Sequence, residues 1–203
     1  MSPQPDLPHS TVTLHSGPAE QNEFSAEERR ALLEIAHRAI AAKIKRQKFE
    51  LASPSPHLAE PRGAFTTIYL RGALRGCVGY VFAAEPLYRT VAETACAAAF
   101  DDSRFQPVSP DEAPELEVHL SVLSPLQRIE AAEVEVGRHG LLISLNGHRG
   151  LLLPQVPIEH NWDRVTFLAE TCRKAGLPVD AWQKGATIEA FTAEVIGDND
   201  RST

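Results

Sequence analysis

The chain has 203 residues, 43% hydrophobic and 23% charged, with a formal net charge of −7 and a pI near 5.6. That is apolar material enough for one compact domain or two small lobes sharing a core, and the acidic balance leaves no global basic field for nucleic acid or anionic lipid. Three cysteines, Cys77, Cys96 and Cys172, with no CxxC spacing, argue against a disulfide framework and for a reducing, cytoplasmic setting.

Residues 1–23 mix Pro, Ser, Thr and His without periodicity and read as a mobile tail, as do residues 198–203. No cationic start precedes an apolar stretch, so no secretory signal is expected, and no run approaches the roughly 18 apolar residues of a membrane span. The folded part is therefore expected over residues 24–197. Its first helix opens at Ser25, with Glu28 three residues on to complete a capping box. Leu32, Ile35, Ala36, Ala39, Ile40 and Ile44 follow at a helical period, and Arg38, Lys43, Lys45, Arg46 and Lys48 near its end read as a solvated face.

A Pro-rich loop over residues 52–63 leads into AFTTIYL and then GALRGCVGY, a hairpin turning at Gly72. The second helix begins at about Pro86 and is rich in alanine, which allows close approach to a sheet. ELEVHLSVL alternates strictly, with Leu116, Val118, Leu120 and Val122 on one side and Glu117, His119 and Ser121 on the other. Asn146-Gly147 marks a tight hairpin turn, Gly176 stops a third helix running from about Asn161, and TIEAFTAEVI reads as one final strand. Hairpins interrupted by helices specify an α+β fold with a largely antiparallel sheet.

The glycine-rich strand carries the chemistry. Alternation puts Leu74, Gly76, Val78, Tyr80 and Phe82 on one side, read as core, and Arg75, Cys77 and Gly79 on the other. A guanidinium two residues from a thiol on one face favours thiolate, the reactive form, and a bare Gly79 lets a ligand approach. The competing reading is a β-bulge or tight strand crossing with Cys77 as a small packed residue. Absence of GxxxxGK[ST], or of GxGxxG opening a helix, excludes those phosphate loops.

His119, His139 and His160 are candidate bases for the thiol, with Glu117 or Glu159 to orient the imidazole. Cys77, His139, Glu159 and His160 have no short-spaced metal-ligand pair among them, so no metal and no cofactor is expected. Asp102, Arg104 and Phe105 in DDSRFQP read either as a helix stop with a local ion pair or as an anion clamp. Gln155, Glu159, His160 and Trp162 sit in a stiff, proline-bearing connection suited to binding. Cys96 and Cys172 read as packing residues.

Together these blocks resemble the AMMECR domain family, whose bacterial and archaeal members are known as AmmeMemoRadiSam system protein A. The resemblance rests on Leu74-Arg75-Gly76-Cys77-Val78-Gly79, Asp102 to Phe105, Val122 to Pro125, Gly137 to Gly140, Gly150 to Val156, Glu159, Trp162-Asp163 and Cys172 to Leu177. Ser103 stands where the family usually has Pro, and His119 where relatives often carry Glu. The resemblance implies a two-lobed α+β fold with the signature strand facing a groove, and company from a Memo-type protein and a radical SAM enzyme. It supplies no established reaction. Two functions follow as expectations. One is thiol chemistry in a cleft, with Cys77, Arg75 and His119 catalytic. Gly76, Gly79, Asp102, Arg104, Phe105, His139, Gln155, Glu159 and Trp162 would then bind a small molecule. The other is a non-catalytic module presenting the same groove.

Overall fold

The protein is described from a computed structural model covering residues 23–82 and 84–198; of the tails expected at 1–23 and 198–203, all but Glu23 and Asp198 lie outside the described residues, and those two are hydrogen-bonded to the fold through Glu194 and through His37 and Val118. Helix α1 spans Ala26–Ile44, and its Ser25–Glu28 capping box forms as the sequence requires. Strands β1 (Ala64–Leu70) and β2 (Ala73–Tyr80) form the first hairpin, turning through Arg71 and Gly72, both at positive φ. Helix α2 (Leu87–Phe100) follows, with Pro86 as its N-cap, and then β3 (Leu116–Leu123).

Beyond β3 come a two-residue strand β4 (Gln127–Arg128), the hairpin β5 (Gly140–Leu145) and β6 (His148–Leu152), and a short helix α3 (Gln155–Glu159). Helix α4 (Arg164–Lys174) is capped by the Asp163 carboxylate, and β7 (Thr187–Phe191) and β8 (Ala193–Gly197) end the fold. The strands make two antiparallel sheets, β2-β1-β3-β8 and β4-β7-β5-β6. The fold is α+β, and no described helix is long and apolar enough to cross a membrane.

Each sheet has its own core. Helices α1 and α2 cover one face of the first sheet, burying Leu32, Ile40, Ile68, Leu87, Val118 and Leu120; a buried hydrogen bond of 2.8 Å between Thr66 and Thr94 ties β1 to α2. In the second sheet Leu141, Ile143 and Ile188 pack beneath Phe167, Leu168 and Cys172 of α4. The final strand read from the sequence is in fact two strands, one in each sheet. The break falls at Thr192, where the chain crosses between sheets beside Ser124. Ser124 N donates to Thr192 O and Thr192 N donates to Ser124 Oγ, both at 2.9 Å, so the two crossings brace each other.

The glycine-rich strand β2 lies at the edge of the first sheet. Its register shifts between Ile68 and Tyr69: Ile68 pairs with Gly76 and Tyr69 with Leu74, leaving Arg75 as the extra residue of a β-bulge. Leu74 is thereby turned to the Tyr69 side and is 41% exposed; Tyr80 and Phe82 are also exposed, so of the side read as core only Gly76 and Val78 are covered by the helices. Gly76 is bare because α2 crosses it closely: a methyl there would run into the carbonyl of Ala98. Gly76→Ala should therefore cost about 1–3 kcal/mol or more in urea denaturation. Gly72→Ala, at a positive-φ turn with open space around it, should cost about 1 kcal/mol. Equal costs would contradict the close crossing.

Candidate functional site

An edge strand carries backbone groups that no neighbouring strand satisfies. At Cys77 they are met by side chains from the loop after α2. Cys77 N donates to Asp102 Oδ2 at 2.9 Å, and Arg104 Nη2 donates to Cys77 O at 3.3 Å. Asp102 in turn accepts from Arg104 N, Nε and Nη2 at 3.1, 3.0 and 2.7 Å. The two residues thus stand in for one residue of a missing strand. Hydrogen bonds from Arg104, joined by the Cys77 and Arg104 amides, hold the Asp102 carboxyl well below the usual carboxylate range. Arg104 also lies over the Phe105 ring, 5.4 Å from its centroid.

The bulge aims Arg75 at the same loop. Its Nε and Nη2 donate to the two carboxylate oxygens of Glu112 at 2.9 and 3.1 Å, while Nη1 and Nη2 donate to Gln106 O and Pro107 O at 2.6 and 3.3 Å. The guanidinium expected to sit with the thiol is instead a buttress between β2 and residues 106–112. Its hydrogen bonds, with the Ser109 amide, bring the Glu112 carboxyl down to about 2.

Cys77 itself looks to the face of the first sheet away from α1 and α2. Its backbone N–H and C=O both point to the loop, so Cys77 and Thr67 form a non-hydrogen-bonded antiparallel pair, the kind whose side chains approach most closely. Thr67 Oγ1 donates to Cys77 Sγ at 3.3 Å. Thr67 is also opposite His119 on β3, which makes a lateral row Cys77–Thr67–His119. His119 Nε2 meets Glu117 Oε1 at 2.7 Å and its ring stands edge-on to Tyr69, with centroids 5.2 Å apart. The bare space at Gly79 is filled by the Phe65 ring of β1, not left open for a ligand.

The remaining sequence candidates belong to the second sheet. His139 Nδ1 accepts from Glu135 N at 3.1 Å in the turn before β5, and burial lowers its pKa. Gln155 and Glu159 are exposed on α3; Trp162 packs at the edge of the second core and stacks on His160 at 4.7 Å. No hydrogen bond or ring contact among the described residues joins these to the Cys77 row. Nor does any group of three or more His, Cys, Asp or Glu among the described residues stand close enough to hold a metal ion. Cys96 and Cys172 have thiol pKa values raised by burial. Thr67, Tyr69, Phe65 and Glu112 are the site residues that sequence reasoning missed.

Comparison with known proteins places this architecture. The AMMECR1 family model matches residues 33–196. Protein MK0488 of Methanopyrus kandleri is 38% identical over 185 residues, covering 85% of this chain and 89% of its own. Protein TK0174 of Thermococcus kodakarensis is 41% identical over 179 residues, covering 81% and 87%. The crystal structure of the uncharacterized protein PH0010 from Pyrococcus horikoshii is similar with a TM-score of 0.69 at 39% identity, covering 85% of this chain and 92% of that one.

The Arg75–Glu112 pair has a pH signature. The Glu112 carboxyl titrates lower folded, at about 2, than unfolded, at about 4.3, so the unfolded chain binds more protons between those values. The pair's contribution is complete above about pH 4.3 and is lost as pH falls toward 2. Denaturation at pH 6 should show Glu112→Gln less stable by about 2 kcal/mol, with the two proteins converging as the pH approaches 2. Parallel stability curves would contradict the assignment.

Proposed function

The chain belongs to the AMMECR1 family, and from that premise we propose that it carries a thiol site on the open face of its first sheet, with Cys77 as the reacting group. The observation that carries this reading is the Thr67 hydroxyl donating to Cys77 Sγ at 3.3 Å in a row that ends at His119. The hydroxyl gives the sulfur a fixed donor on the open face, and Glu117 fixes the imidazole as an orienting carboxylate does for a general base. His119 stands two strands from Cys77, about 9–10 Å between backbones. A substrate lying across Thr67 would meet sulfur at one end and imidazole at the other.

Charge narrows the substrate. Arg75 is committed to Glu112 and Arg104 to Asp102, and beside the row stands the carboxylate of Glu117, opposite Tyr69 and bonded to His119. This face suits a neutral or cationic electrophile better than the anion that a free Arg75 would hold. Arg75, Asp102 and Arg104 act as positioning residues, keeping the strand in place so that the sulfur faces the row. Family resemblance supports a setting with a Memo-type protein and a radical SAM enzyme.

A second reading, a non-catalytic module that binds a partner or small molecule on this face, is favoured by one observation. Among the described residues, Arg75 and Arg104 at the Cys77 edge are both in ion pairs, and the imidazole is bonded to Glu117 and not to the sulfur.

Modification by iodoacetamide at pH 7.5, mapped by peptide mass, separates the readings. The thiol site predicts Cys77 reacting before Cys96 and Cys172, and Thr67→Val slowing it by roughly fivefold while Thr67→Ser does not. A Cys77 no faster than Cys96, or indifferent to Thr67→Val, would favour the binding module.

A further inference from the structure

The second sheet carries a group of side chains that the thiol row does not use. Ser144 of β5 is directly opposite Arg149 of β6 on one side and Thr187 of β7 on the other. The α4 side of this sheet is taken by Leu141, Ile143 and Ile188, so Ser144, Arg149 and Thr187 share the reverse face. Opposed residues hold their Cβ atoms about 5 Å apart, which brings two hydroxyls and a guanidinium to one spot. They line a hollow of about 220 Å³ bounded by the Asn146-Gly147 turn and Gly185.

The charge balance of this hollow is one-sided. None of its lining residues is a carboxylate. Among the described residues, the Arg149 guanidinium and the Ser144 and Thr187 hydroxyls make no hydrogen bond or ion pair, although both hydroxyl residues are half-buried. Glu189 is two residues along β7 on the same face, and it is opposite Arg128 in register. Nearby Lys184 is neutralised by Asp180 at 2.6 Å. A solvated arginine alone is ordinary surface; a cation beside two unpartnered, half-buried hydroxyls in a carboxylate-free hollow is a receptor for oxygen acceptors.

We propose that this hollow binds a small tetrahedral oxyanion, a phosphate or sulfate group. Arg149 supplies the charge and a two-pronged donor, and the rotatable hydroxyls of Ser144 and Thr187 donate to the remaining oxygens. The site lies in the second sheet and does not depend on the chemistry at Cys77.

The test titrates the full chain, ¹⁵N-labelled, with inorganic phosphate at constant ionic strength and follows the amides of Gly147 and Gly185. The proposal predicts saturable shifts, weakened about tenfold by Arg149→Gln and partly retained in Arg149→Lys, with Thr187→Val weaker than the parent. Sulfate should compete and acetate should not. Shifts that stay linear in phosphate, an affinity untouched by Arg149→Gln, or equal competition by acetate would each overturn it. Arg149 is exposed, so its variants keep the fold, which the unshifted core amides will verify.

Discussion

The structure around Cys77 depends on one requirement: an edge strand must find partners for its outward backbone groups. The Asp102 carboxylate takes the Cys77 N–H and the Arg104 guanidinium takes the Cys77 carbonyl. Because that pair occupies the outer edge, the side chain of Cys77 is left in the close, non-hydrogen-bonded relation to Thr67. Capping also blunts an edge that would otherwise invite another chain. Arg75, displaced by the bulge, closes on Glu112 and fixes the far end of the same loop. Bulge, loop and thiol orientation are one arrangement.

That arrangement explains why the strand is so poor in side chains. Gly76 is where α2 passes over the sheet, and Gly79 is where Phe65 lies across β2. Neither vacancy is kept for a ligand. The bareness that suggests a binding floor is a packing requirement on both faces, and the chemistry proposed for Cys77 rests on its row with Thr67 and His119. The structural reading of this strand therefore holds at Gly76 and Gly79, and the proposed chemistry is confined to Cys77.

Much of the fold is legible in the sequence, because local signals agree with the final structure. The Ser25–Glu28 box, the alternation of residues 116–123 and the Asn146-Gly147 turn each specify their element without help from elsewhere. What fails is whatever depends on a distant partner. Residues 187–197 carry one continuous β pattern, and only the Ser124–Thr192 bracing divides it between two sheets. The two-residue turn at Arg71-Gly72 pairs Leu70 with Ala73, and counting on from there would put Thr66 opposite Cys77. The bulge at Arg75 moves that place to Thr67, and with it the hydroxyl that touches the sulfur. Glu112 lies 37 residues from Arg75, and no spacing rule connects them. Cys77, His119, Arg75, Asp102 and Arg104 are visible as chemistry-bearing types, whereas Thr67, which meets the sulfur, and Glu112, which meets Arg75, are not.

The capping of the Cys77 peptide by Asp102 can be read directly from native-state hydrogen exchange. In Asp102→Ala the Cys77 amide should exchange roughly tenfold or more faster, while amides of β1 and β3 in the sheet interior keep their protection. Unchanged exchange at Cys77, with the sheet intact, would mean that this loop does not hold the edge strand and that the thiol's orientation has another cause.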